Sequence, residues 1–150
     1  MCWISEIVYI GFFCGVVMVG VRQVFAVASA ISVIQLVLGL YFSYSVRVAG
    51  DVSTPLMLLP LHLLLAIMLF ALLVFGVVRG RGGVAPRIAF IPLALLVVSG
   101  LVGMSISLTI QGVLRLDPNL LSALGLYIHN PLGWFIVVTT TLTYIKSRKG

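Results

Sequence analysis

Charge is what this sequence has least of. Only 8% of its 150 residues are charged, and three acids stand against nine lysines and arginines. A soluble domain carries about a quarter charged residues. At 62% hydrophobic, the chain holds more apolar surface than a water-soluble core of this size can absorb, which excludes a soluble domain and leaves an integral membrane protein. The net charge of +6 sits between and after apolar runs, with no basic patch interleaved with aromatics, so nucleic acid is excluded as a partner. Cysteine is scarce as well. Cys2 and Cys14 both fall in the first apolar run, without metal-ligand spacing and roughly 18 Å apart on a helix, too far for a disulfide. They read as apolar filler. No basic segment precedes that run as it would in a signal peptide, so the run is expected to be retained.

What is present is hydrophobic length. Four long runs cover about 24–46, 55–78, 88–112 and 122–145, each able to cross roughly 30 Å of hydrocarbon. "DVSTP", "RGRGGVAP" and "RLDPN" separate them with turn-forming residues. A shorter run, about 2–21, reads as a fifth span or as a helix lying in the interface, with Gly20, Arg22 and Gln23 making a turn before the next. The expected fold class is an all-α integral membrane protein: one transmembrane domain over 1–150, a four-helix bundle of two repeated helix pairs plus the short N-terminal hydrophobic helix. Arg79, Arg81 and Arg87 lie between the second and third long runs, Lys146, Arg148 and Lys149 follow the fourth, and Arg22 precedes the first. The other two loops carry only Arg47 with Asp51, and Arg115 with Asp117. By the positive-inside rule the expected location is the cytoplasmic membrane with the C-terminus in the cytoplasm.

Only two histidines occur, both inside apolar runs: His62 in "LPLHLLLAIM" and His129 in "LYIHNPLGW". Each lies seven residues into a run entered from the outer side, so both are expected roughly 10 Å deep. They are 67 residues apart; Arg47 and Arg115 are 68 apart, Asp51 and Asp117 66, Ser32 and Ser99 67. That correspondence implies two copies of one helix pair, related by an axis along the membrane normal that lets the histidines face each other. Gly125 and Gly133 flank His129 at spacings of four, and Ala66 follows His62 by one turn; these three are expected to leave space beside a ring. Ser99, Gly103, Ser107 and Gln111 share a face of the third run, and Ser32, Gln35, Gly39 and Ser43 recur on the first, a pattern that also serves ordinary helix packing. Pro60 and Pro131, two residues from the histidines, free backbone carbonyls, which is tolerated at depth only inside protein or at a cavity.

Ionisable residues inside a membrane are functional by default. Four uses compete: a pair of axial ligands to haem iron, a proton relay, a copper or zinc site, and hydrogen bonding between helices. A relay usually shows more acids, and none lies in the last three runs. A metal ion lacks a third ligand, since Cys14 is in the wrong run and Met57, Met68 and Met104 are scattered. Haem suits imidazole and a bundle core.

A pair-repeat with histidines near the outer ends of its second and fourth helices resembles one half of haem A synthase. "IQLVLGLYFSYSVRVAGD" and "IQGVLRLDPN" are similar in kind to that family's glutamine- and glycine-rich run through an arginine. The resemblance covers about 24–145 and implies a haem site near the outer face, with His62 and His129 as ligands to the haem iron. The family's acid three residues before its first histidine and arginine just after it are absent: here stand Leu59 and Leu63. The outer-loop cysteine pair is missing too. The expectation is therefore a b-type haem protein (haem b or a related haem) rather than an enzyme on its own, with Arg47 and Arg115 as candidate propionate contacts. It is expected to work in electron transfer or haem handling within a respiratory membrane complex. Expected partners are membrane lipid and other subunits of a complex or a homodimer partner. The alternatives are a non-redox accessory or assembly subunit, and a half-length haem A synthase-like enzyme. Trp3, Tyr127 and Tyr144 fit interface belts, Trp134 lies deeper, and Thr139–Thr141 is expected to bond back to its own helix.

Overall fold

The computed structural model of the protein describes residues 20–51, 53–80 and 84–148. The expected short span at 2–21, with Cys2, Trp3 and Cys14, lies outside these residues except for its last two. The described residues form α1 (Val21–Arg47), α2 (Ser53–Arg79), α3 (Val84–Ile110), α4 (Pro118–Ala123), a π-helical turn (Leu124–His129) and α5 (Asn130–Ser147). α4, the π-turn and α5 run on as one rod, so four helices are long and apolar enough to cross a membrane. The chain is a multi-pass, all-α membrane protein.

The helix ends fall where local chemistry puts them. α1 starts earlier than expected because the Gln23 side chain folds back to accept from Gly20 N at 3.1 Å, so Arg22 and Gln23 belong to the first helical turn and not to a loop. α3 takes in Pro86 near its start, since proline costs least where its missing N–H has no partner anyway. α3 ends in a Schellman motif: Val113 N donates to Leu108 O, Gly112 N to Thr109 O, and Gly112 holds φ 76°, a conformation open to glycine. The starts of α2 and α4 are capped alike. Asp51 Oδ1 accepts from Ser53 N, Ser53 Oγ and Thr54 N, and Asp117 Oδ1 accepts from Asn119 N and Leu120 N. Both repeats thus use their aspartate as an N-cap, not as a partner for the neighbouring arginine.

Each span packs on the spans before and after it, and α5 closes the ring against α1. α2 and the α4–α5 rod are therefore diagonally opposed. The core gathers at the end of the bundle carrying the α2–α3 connection and the C-terminus: Phe25, Ala28 and Ile31 meet Leu69, Leu73, Ala85, Ala89 and Ile136. Gly76 lets the Phe25 ring lie against α2; a Cβ there would stand 2.6 Å from Phe25 Cε1. Small residues of this kind let membrane helices approach without a hydrophobic driving force between them. Ser29 Oγ and Thr141 Oγ1 bond across α1 and α5 at 2.9 Å. Thr139 and Thr140 bond back to Phe135 O and Ile136 O. Ile67, Leu101 and Phe135 are exposed on the outside, where lipid is the solvent. Toward the other end the packing thins. Beyond the histidines, toward the end carrying the α1–α2 and α3–α4 connections, only Ser45 and Pro55 are fully buried among the described residues.

Candidate functional site

His62 and His129 come from the two diagonal spans and meet across the middle of the bundle. Their ring centroids are 6.5 Å apart and their planes tilted by 60°. No charged side chain separates them. The pair is the point where the two halves of the duplicated sequence converge.

His129 is held firmly. Its backbone ends the π-turn, two residues before Pro131 in the first turn of α5. Proline cannot donate to the helix, and its ring excludes the carbonyl four residues back; a widened turn relieves that clash, and π-turns gather at functional sites. Asn130 N reaches Gly125 O, five residues back. The imidazole Nδ1 lies 3.1 Å from the Ser99 carbonyl oxygen and 3.2 Å from Ser99 Oγ. A carbonyl only accepts, so Nδ1 carries the proton and Nε2 keeps its lone pair. The ring rests on Gly103, where a Cβ would be 2.8 Å from His129 Cε1. Ser99 and Gly103 are one turn apart on α3 and form a cradle for one imidazole. The neighbouring Asn130 donates from Nδ2 to Ser43 Oγ at 3.1 Å, tying the turn to α1.

His62 is held differently. Gln35 Nε2 donates to the His62 backbone carbonyl at 2.8 Å, which fixes the helix but not the ring. Phe42 packs against the ring with centroids 5.4 Å apart, and a Cβ on Gly39 would lie 4.0 Å from His62 Cε1. His62 Nδ1 and Gln35 Oε1 are both buried with no hydrogen-bond partner among the described residues. Ser32, the repeat counterpart of Ser99, donates to Ser29 O in its own helix instead. The two repeats match in helix position but not in how they grip their histidine.

The other expected residues fall as follows. Arg47 reaches over the mouth of the bundle and donates from Nη2 to Ser122 O at 2.8 Å, a carbonyl just before the π-turn. Gly125 makes room for that guanidinium, with a would-be Cβ 3.3 Å from Nη2. Gly133 faces Leu36 Cδ1 at 3.3 Å. The glycine in contact with an imidazole at close range is thus Gly103 on α3, not one of the two on His129's own span. Ala66 is half-buried one turn past His62, and Arg115 is exposed in the α3–α4 connection. Outside the spans, Ser53 and then Thr54, by hydrogen bonding, lower the Asp51 pKa to about 2. Ser99 and Gly103 were visible in the sequence as a helical stripe, and the i, i+4 spacing was their signal. Phe42 and the ring-side role of Gly39 had none.

The donor set bears on what this pair can bind. A metal ion held by side chains alone takes about three or four ligands, and no group of three His, Cys, Asp or Glu comes together among the described residues. A haem supplies its own equatorial nitrogens and asks the protein for axial ligands only. With metal–imidazole bonds of roughly 2 Å, two imidazoles on one metal put their ring centres roughly 6 Å apart, close to the 6.5 Å separation here. His129 presents a lone pair with its other nitrogen hydrogen-bonded, the arrangement that metal-ligating histidines favour. The thinly packed end of the bundle places few buried side chains beyond the pair among the described residues. Two imidazoles are the side-chain ligands that an axially ligated haem asks for.

No protein-family model matches the chain, and no curated protein or solved structure matches it.

Proposed function

We propose that the chain is a small membrane-embedded b-type haem protein with His62 and His129 as axial ligands, working in electron transfer or haem handling within a respiratory membrane complex. The observation that carries this reading is the approach of two imidazoles from diagonal spans to 6.5 Å in the middle of an apolar bundle. Ionisable groups at depth are costly, and two of them converging on one point is the pattern of a binding site. Bound there, haem supplies one-electron chemistry. The chain's part is to hold both imidazoles neutral, to keep the Nδ1 proton of His129 on Ser99, and to exclude water with the wall of aliphatic side chains around α2 and α5. Arg47, at the outer mouth, is the cation closest at hand for a propionate, and it would leave the Ser122 carbonyl to make that contact.

The resemblance to a single half of haem A synthase supports the same site. It supports catalysis less, since Leu63 is exposed on the lipid-facing surface, where leucine is at home and an arginine is not. The basic residues place the end carrying Arg79 and Lys146 in the cytoplasm, and the histidines toward the outer face of the cytoplasmic membrane. Partners are lipid and other subunits of a complex, or a second copy of the chain.

An optical spectrum of the purified protein tests the reading. A Soret band with a sharp α band on reduction is expected, and both His62→Ala and His129→Ala should abolish the low-spin signal with helix content unchanged. A wild type without haem, or two variants with wild-type spectra, leaves the histidines as packing groups in an accessory subunit.

A further inference from the structure

The two imidazoles are not equivalent. His129 has its Nδ1 within 3.1 Å of the Ser99 carbonyl oxygen, its ring bedded on Gly103, and its backbone pinned between a π-turn and Pro131. His62 has a buried Nδ1 with no partner among the described residues, and Phe42 and Gly39 of α1 lie beside its ring. Hydrogen bonding to the far nitrogen fixes the tautomer of a ligating histidine, orients its ring and raises its basicity, and losing that partner typically weakens the metal bond by about 10–100-fold. One ligand is pre-organised and the other is not.

We propose, resting on the haem reading above, that His129 is the permanent axial ligand and His62 an exchangeable one, so that the His62 side of the site admits a small neutral diatomic ligand. In the exchange one nitrogen–iron bond breaks and one bond from iron to the incoming ligand forms; no electron or proton is transferred. The released imidazole turns on its own χ angles, since no hydrogen bond among the described residues restrains its Nδ1. The entering ligand is small because Phe42 stands beside the ring, and neutral because the nearby donors are already engaged: the Gln35 amide nitrogen on the His62 carbonyl, and Arg47 at the mouth of the bundle. A gas such as carbon monoxide has the right size and polarity.

The test uses the full chain in detergent micelles with its haem, and carbon monoxide as the probe. On reduction the wild type should take up carbon monoxide with loss of the low-spin α band. His62→Ala should keep near-wild-type haem content, turn high-spin, bind the gas at least about 10-fold more tightly, and return to low-spin on addition of free imidazole. His129→Ala should retain at least about 10-fold less haem. Nitrogen-15 NMR of histidine-labelled, haem-free protein reads the same asymmetry without the cofactor and without a variant. His129 should be locked with its proton on Nδ1, while His62 populates both tautomers. Equal haem loss in the two variants, the reverse order, a reduced wild type inert to carbon monoxide, or matching tautomer populations would each overturn the assignment. A wild type that binds no haem sinks the haem reading itself, and this site with it.

Discussion

At the scale of single residues, Gly103 and Gly100 make a matched pair on α3. Gly103 supports the His129 ring, with a would-be Cβ 2.8 Å from Cε1, whereas nothing described comes within 4 Å of a Cβ at Gly100. Gly103→Ala should therefore displace an imidazole that has a backbone hydrogen bond to lose, and Gly100→Ala should not. The expected outcome is a weakened low-spin band in the first variant and a wild-type spectrum in the second, with equal helix content by circular dichroism. Asp51 offers a pH test at the opposite, water-exposed extreme. Its pKa falls from 3.8 to about 2 because Ser53, then Thr54, hydrogen-bond to the carboxylate. A folded pKa below the unfolded one means the cap stabilises the start of α2 at any pH above about 4, and that this contribution fades as pH falls toward 2. Amide exchange at Ser53 and Thr54 should lose protection over that window. Asp51→Asn, which accepts hydrogen bonds without titrating, should flatten the dependence.

At the scale of helices, association depends on close approach more than on hydrophobicity, since lipid already solvates every leucine. The α1–α2 contact is the clearest case. Phe25 is fully buried in a groove that exists because residue 76 has no side chain. Gly76→Val should force the two helices apart and cost about 1–3 kcal/mol, the usual range for overpacking a filled core, read as a lower unfolding midpoint in mixed micelles. Because the contact lies at the basic end of the bundle, the haem spectrum should change little. The π-turn is the other element-scale device. Pro131 accounts for it, and it leaves His129 facing Ser99 on α3 while Ser122 O turns to Arg47.

At the scale of the whole molecule, the bundle divides into a close-packed end and a thinly packed end, and the histidines sit at the boundary. Its orientation is testable. With Cys2 and Cys14 replaced by serine, Arg115→Cys should react with an impermeant thiol reagent in intact cells, and Arg148→Cys should react only after permeabilisation. The reverse labelling would put the histidines near the inner face and overturn the positive-inside assignment for this chain.

The class of protein and the four long spans were legible in the sequence by itself, because each depends on local quantities: hydropathy over roughly twenty residues and turn-forming residues in the breaks. Asp51 and Asp117, matched at a spacing of 66 residues in the sequence, both prove to be helix caps. What only the tertiary structure decided is which side chains stand beside each ring. Gly125 and Gly133 share a helix face with His129, but a side chain also meets the neighbouring helix, and the rotation of that neighbour is set by packing that no single helix encodes. Hence Gly103 of α3 lies under the imidazole, Gly125 beneath the Arg47 guanidinium, and Gly133 against Leu36. The inequality of the two histidines is of the same kind: Ser32 and Ser99 occupy equivalent places in the repeat, yet only Ser99 turns toward a ring, because the π-turn before Pro131 exists in one half and has no counterpart in the other.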